Sequence, residues 1–156
     1  AVSLFALPLR LMYRANMVYW LRGKALSAQV TKRIHVGSIL AAPDFHAVVD
    51  VCAEYPMAHM PSYYATIPML DMVPADVAAL RAAADALHQM LQQQNQPVLV
   101  CCALGYSRSV AVVLVYLLRQ RHAHDLQAAL KLLQQARPDM VVSPANQQQI
   151  LKAAHE

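Results

Sequence analysis

The chain has 156 residues, 58% of them hydrophobic and only 14% charged, which suits a single globular domain and excludes disordered and fibrous classes. Its net charge of +4 biases it mildly toward anionic partners, but it lacks the basic clusters and interleaved aromatics of a nucleic-acid binder. Three cysteines without metal-ligand spacing indicate neither a disulfide framework nor a metal site, and they fit a thiol-preserving, reducing compartment.

A chain that opens on Ala1 is expected to continue a longer one. Residues 1–22 are apolar, with aromatics near the end and Arg10, Arg14 and Arg22 inserted. No uninterrupted apolar run reaches the roughly 18–20 residues of a membrane span, and the order of charge and apolarity is not that of a signal peptide. Two readings stay open for residues 1–28. One is an amphipathic helix packed on the domain. The other is a juxtamembrane helix touching a membrane surface through residues 1–24, the tail of an upstream membrane segment. In the second, Arg10, Arg14, Arg22, Lys24, Lys32 and Arg33 mark the cytoplasmic side of an inner membrane.

The domain proper is expected over 29–156. "QVTKRIHVGS" alternates like a strand and ends in a turn at Gly37-Ser38, and "AAPDFHAV" predicts a short helix or helical turn. "AVVDVCAEY" reads as a buried strand, and "YYATIPMLD" as another that closes in a loop at Asp71. Pro74 and Asp76 open a helix to about 94, with Val77, Leu80, Ala84, Leu87 and Leu91 as its apolar stripe. "PVLVC" is a strand, and "SVAVVLVYLLRQRH" a helix apolar nearly all round and therefore central. A further helix runs from Asp125 to about Gln135, "ARPD" breaks it, and Ser143-Pro144 starts the last. Strands separated by helices predict a three-layer α/β domain.

The chemistry concentrates in Cys102-Ala103-Leu104-Gly105-Tyr106-Ser107-Arg108-Ser109, which joins a buried strand to a buried helix. Backbone N–H groups of such a loop, with the helix N-terminus, make a concave anion site. Gly105 supplies the φ > 0 or close-approach position that wrapping an anion requires. Arg108 stands where its planar fork can bind two phosphate oxygens. Cys102 sits at the mouth of the same positive field, which favours the thiolate and makes it a nucleophile for in-line attack on phosphorus.

Cys102 to Ser109 resembles the active-site signature of the protein tyrosine phosphatase superfamily, in its compact dual-specificity branch. "VTKRIHVGS", "VVDVCAEYP", "YYATIPMLD" and "RPDMVVSPANQQQIL" resemble, in order, other segments of that branch, so the likeness covers roughly residues 29–154. It is similar in kind to such domains of bacterial membrane proteins that follow a lipid-phosphatase-like membrane portion. The resemblance implies a compact phosphatase fold, with a mostly parallel sheet of four to five strands between helices. It implies hydrolysis of phosphate monoesters through a phosphocysteine, on phosphotyrosine, phosphoserine and phosphothreonine or on a singly phosphorylated lipid. Residues Ala103 to Arg108 would hold the phosphate. Asp71 stands where the family keeps its general acid, with Asp76 as a rival better placed for a helix cap. Ser109 matches the hydroxyl that stabilises the departing thiolate.

No cofactor or metal is expected, since Arg108 and the loop amides neutralise the phosphate. The family usually has His immediately before the nucleophile, and here Cys101 stands there. On an alternating strand it should face away from Cys102 and pack in the core. "VCAEY" resembles a stretch of phosphoinositide phosphatases in which the cysteine lies close to the nucleophile, so Cys52 is a candidate redox partner of Cys102. Two readings compete with an enzyme: a phosphate-recognition module of the same fold without turnover, and a rhodanese-type sulfur transferase, in which the upstream acid would have no role.

Overall fold

The computed structural model describes residues 7–155. In chain order it comprises helix α1 (Leu7–Leu21), strands β1 (Ser27–Gln29) and β2 (Ile34–Ser38), a 3-10 helix (Ile39–Asp44), and strands β3 (Ala47–Cys52) and β4 (Tyr63–Met69). Helix α2 (Val77–Gln93), strand β5 (Val98–Cys102) and helices α3 (Arg108–Arg119), α4 (Leu126–Ala136) and α5 (Pro144–His155) follow. The strands form one sheet in the order β1-β2-β5-β3-β4, parallel except for the β1–β2 pair. This is the expected three-layer α/β architecture.

β3 and β5 are buried along their whole length, which is why they read as apolar runs, broken only by Asp50 of β3. Side-chain alternation divides each between two cores. Val49, Val51, Val98, Val100 and Cys102 face the larger core with α2 to α5, while Val48, Cys52, Leu99 and Cys101 face a smaller one with Met17 of α1 and Ile39 of the 3-10 helix. Every residue of α3 from Arg108 to Leu118 is buried. Its Leu114 and Leu117 are fully enclosed, and truncating either to Ala should cost about 2–5 kcal/mol.

Two local expectations are corrected. The run 29–38 is not one strand: Gln29 ends β1, residues 30–33 turn, and β2 begins at Ile34 and runs antiparallel to β1, with the Val30 amide donating to the Ile34 carbonyl at 2.8 Å. The turn frees Arg33 to donate to the carbonyls of Leu91 (2.8 Å) and Gln94 (2.5 Å) at the C-terminal end of α2, where a helix leaves acceptors over, and to Gln96 O (3.2 Å) just beyond it. The short helix lies at 39–44 rather than 41–48, because Ser38 Oγ caps it by accepting from the Leu40 amide at 3.1 Å. Asp76 caps α2, its carboxylate accepting from the Ala79 amide at 3.0 Å, and that role removes it as a rival to Asp71. Helix α1 contributes Met17 to the smaller core and buries Leu21 as well, so its inner face packs on the domain. Residues 1–6 of the expected membrane contact lie outside the described residues.

Candidate active site

Three neighbouring parallel strands end together, and in an open α/β sheet the carboxyl ends of the strands are where ligands bind. β5 ends in Cys102, β4 runs into the loop holding Asp71, and β3, which lies between them, runs on to Glu54. The strand order therefore puts a carboxylate between the Cys102 loop and the Asp71 loop. Sequence reading quoted "VCAEY" for its cysteine and missed Glu54. Its only signal there is an acidic residue two positions past a buried strand, where a charge needs a partner.

The loop after β5 is held from outside by its carbonyls. Ser38 Oγ donates to Ala103 O (2.6 Å), and Arg137 donates to Leu104 O (2.8 Å) and Gly105 O (3.2 Å). The Val141 amide donates to Tyr106 O at 2.7 Å. In a trans peptide the next N–H points opposite to each carbonyl, so four outward carbonyls turn the amides of residues 104 to 107 toward the hollow of the loop. One of them is seen at work, because the Gly105 amide donates to Cys102 Sγ at 3.3 Å. Gly105 has φ +80°, and a Cβ there would strike the backbone of Gly37. A Cβ on Gly37 would in turn strike Leu26 O and Ser27. Two of the chain's three glycines thus let the loop backbone lie directly against β2.

Arg137 is the second residue that sequence reading passed over, where "ARPD" served only as a helix break. Its side chain is buried, also donates to Ala25 O at 2.5 Å, and its guanidinium lies 4.5 Å from the centre of the Tyr106 ring. One planar fork thus ties the loop after β5 to the β1 approach.

Arg108 begins α3, as expected, and is buried. Its Nη1 donates to Glu54 Oε1 (2.5 Å) and to Met69 O (2.7 Å), and its Nη2 lies 3.8 Å from Asp71 Oδ2. Burial works against its charge, but the facing Cys102, Glu54, Cys52 and Asp71 more than offset that and raise its pKa above the ordinary value. The Asp71 backbone amide donates to Glu54 Oε2 at 3.2 Å. Glu54 thus grips the guanidinium with one oxygen and the acid loop with the other. The Asp71 side chain is 45% exposed, at the rim, where a leaving group would depart. The far end of that loop is pinned to α5, whose Asn146 Oδ1 accepts from the Ala75 amide at 2.9 Å.

Ser109 Oγ lies 3.2 Å from Cys102 Sγ. Cys101 faces the opposite core, fully buried, as alternation requires. Its thiol lies 4.0 Å from the buried carboxylate of Asp50, which accepts from Tyr64 Oη at 2.6 Å. Cys52 shares that core as a free thiol, its Sγ 3.8 Å from Glu54 Oε1. Burial pushes its pKa up to about 12. A cleft of about 440 Å³ opens beside the loop, walled by Met72, Val73, Leu104, Tyr106 and Val141, with Asp71 and Arg108 as its charged lining. Among the described residues, no cluster of three or more His, Cys, Asp or Glu could hold a metal ion.

Residues 29–156 match the family model described as the dual specificity phosphatase catalytic domain. Human DUSP28 is similar in structure, with 26% identity and a TM-score of 0.73 over 83% of this chain and 93% of that one. A mouse putative dual specificity phosphatase complexed with zinc tungstate is 25% identical, with a TM-score of 0.73 over 85% and 89%. PTPMT1 in complex with PI(5)P shares the fold at 16% identity, with a TM-score of 0.67 over 83% and 95%.

Proposed function

We propose, for a chain that belongs to the dual specificity phosphatase family and is an enzyme of that phosphatase type, a two-step hydrolysis of phosphate monoesters through Cys102. The observation that carries the reading is a loop whose outward carbonyls turn its amides inward around Cys102 Sγ, beside a buried Arg108 guanidinium whose charge Cys102 reinforces. In the first step the Cys102 thiolate attacks phosphorus, the bond to the leaving oxygen breaks, and Asp71 gives that oxygen its proton. The loop amides and Arg108 hold the three remaining oxygens. In the second step water attacks the phosphocysteine and Asp71 takes a proton from it. The S–P bond then breaks, and the Ser109 hydroxyl donates to the departing thiolate, releasing inorganic phosphate.

A cleft with one guanidinium and apolar walls suits an ester bearing a single phosphate. A phosphotyrosine, phosphoserine or phosphothreonine side chain meets that requirement, and so does a lipid headgroup with one phosphate. The lipid reading draws support from the fold shared with a protein whose structure holds PI(5)P.

The test is phosphate release by wild type and Cys102→Ser across aryl phosphates, phosphopeptides and lipid phosphate monoesters, with intact-mass detection of a phosphoryl adduct on quenched wild type. Wild type should turn over and carry the adduct, while Cys102→Ser should do neither. Equal turnover in both would overturn the nucleophile assignment. Phosphate binding without turnover would instead support the recognition module. Asp71→Ala should slow alkyl phosphates far more than aryl phosphates, whose leaving groups need no proton.

A further inference from the structure

Helix α1 is apolar on nearly every side, and a helix of that kind belongs in apolar surroundings on every side. The domain covers one stripe, Met17 and Leu21, with Tyr13 beside it. Around the rest of the helix Leu7, Leu11, Met12, Val18, Tyr19 and Trp20 are each at least half exposed. A patch of that size and continuity on a folded domain marks an interaction surface.

Charge decides what the surface meets. Six of the thirteen basic residues and none of the nine acidic ones precede Asp44. The first 43 residues therefore carry +6, and the remainder, with seven basic against nine acidic, carries −2. Arg33 is consumed in capping α2, and Lys24 pairs with Asp139 at 2.9 Å, but Arg14, which reaches Tyr55 Oη at 3.5 Å, and Arg22, 4.0 Å from the centre of the Tyr19 ring, keep their guanidiniums exposed. Both line a cavity of about 500 Å³ along one flank of α1, whose other walls include Val18, Leu26, Leu40 and Met57. An apolar groove with two guanidiniums fits an anionic amphiphile. A second copy of the chain would bring the same positive face against itself, which like-charge repulsion opposes. At fifteen residues α1 is about 22 Å long, short of the roughly 30 Å hydrocarbon core, and no helix among the described residues is long and apolar enough to cross a membrane.

We propose that α1 docks this domain on an anionic phospholipid surface, lying in the headgroup layer with its outer face against the acyl chains and Arg14 and Arg22 among the phosphates. Tyr19 and Trp20 then sit at the interface that their amphipathic rings favour. The docked helix is joined to the catalytic end of the sheet, since Tyr13 on its inner side donates to Glu54 Oε1 at 3.2 Å, the oxygen that holds Arg108. Docking is independent of hydrolysis, and its test does not rest on turnover.

The full 156-residue chain is sedimented with vesicles of phosphatidylcholine, with and without about one-third phosphatidylglycerol, a phosphodiester that the proposed chemistry would not consume. Wild type should bind the anionic vesicles about tenfold more tightly than the neutral ones, with that margin shrinking in high salt. Leu11→Glu with Met12→Glu should weaken binding to anionic vesicles by about tenfold or more. Arg14→Gln with Arg22→Gln should erase the preference for anionic lipid. The four residues are exposed, so unchanged melting temperatures verify the fold. Absence of binding, binding indifferent to the glutamates, or a dimer in light scattering that those glutamates dissolve would each overturn the proposal.

Discussion

Replacing Glu54 by Gln sets two physical effects against each other. Coulomb's law alone makes an anion beside a phosphate-dianion site a liability, so its removal should tighten phosphate binding and speed attack by an anionic nucleophile. The structure opposes it, because Glu54 is what holds the Arg108 guanidinium and the Asp71 loop in place. It accepts from Arg108 Nη1 at 2.5 Å and from the Asp71 amide at 3.2 Å, and Met69 O is the second acceptor for that guanidinium nitrogen. Gln keeps the shape and one acceptor oxygen, but it loses the charge and presents N–H groups where an acceptor stood. A charge-assisted hydrogen bond is worth about 1.5–3 kcal/mol, and the swap puts one such bond to Arg108 and a second to the acid loop at risk.

If about 2.7 kcal/mol of that loss appears in the transition state, kcat/KM falls on the order of 100-fold. Glu54→Ala is a poorer probe. It leaves a buried guanidinium without its carboxylate, at a cost of about 3–5 kcal/mol out of a typical total of about 5–15 kcal/mol. The assay is kcat and KM of Glu54→Gln on an aryl and an alkyl phosphate, with inhibition by inorganic phosphate and urea unfolding alongside. Displacement of the acid loop should make the alkyl phosphate suffer more. A variant that is folded, at least as active as wild type and inhibited more tightly by phosphate would refute the reasoning, since charge would then outweigh positioning.

Arg137→Ala strips donors from Leu104 O and Gly105 O, and should cost about 3–5 kcal/mol in urea unfolding together with at least a tenfold fall in kcat. Arg137→Lys should recover only part of both, because a point charge cannot replace a planar fork; a stability loss with kcat untouched would detach the residue from the loop's function. Gly105→Ala must shift the loop off Gly37, and kcat/KM should fall on the order of 10²–10³, as for loss of an oxyanion donor; activity near wild type would contradict the close backbone approach. Cys52 is raised from 9.0 to about 12 by burial, and Cys101 is raised as well. A raised folded pKa stabilises fully below the unfolded value and loses that contribution as pH climbs through the folded one. Stability should therefore fall above pH 9 by about 1.4 kcal/mol per pH unit for each thiol, and Cys52→Ala should flatten the decline. The redox role expected of Cys52 requires its thiolate to attack an oxidised Cys102, so a linked peptide forming faster at pH 9 than at pH 7 after peroxide supports it, and its absence removes it.

The elements that sequence reading placed well are those whose signals are local. A β-branched run, an Asp three residues ahead of the amide it caps, and a glycine between a thiol and an arginine all speak through neighbours in the chain. Cys102, Arg108 and Ser109 stand on one loop and the helix turn it enters, so their meeting follows from adjacency, and Asp71 came from the order of segments in a familiar pattern. The turn at 30–33 is hidden because Arg33 and Thr31 fit an alternating strand equally well, and what decides against it, the carbonyls at and just beyond the C-terminal end of α2, lies some sixty residues away.

Glu54 and Arg137 were invisible for a deeper reason. A nucleophile loop advertises what it does to a ligand, while the residues that brace it act on backbone carbonyls and on another side chain, and such contacts leave no spacing in the sequence. Glu54 owes its place to β3 lying between β4 and β5, a fact of sheet order that no single segment carries. Arg137 owes its place to the carbonyls of Leu104 and Gly105 turning outward, which they must do if the amides that follow are to turn inward. A loop cannot present its N–H groups to an anion without presenting its C=O groups to something else. In this fold that something is one buried arginine, a serine hydroxyl and the amide of Val141, and the phosphate site is as much their property as that of the cysteine it surrounds.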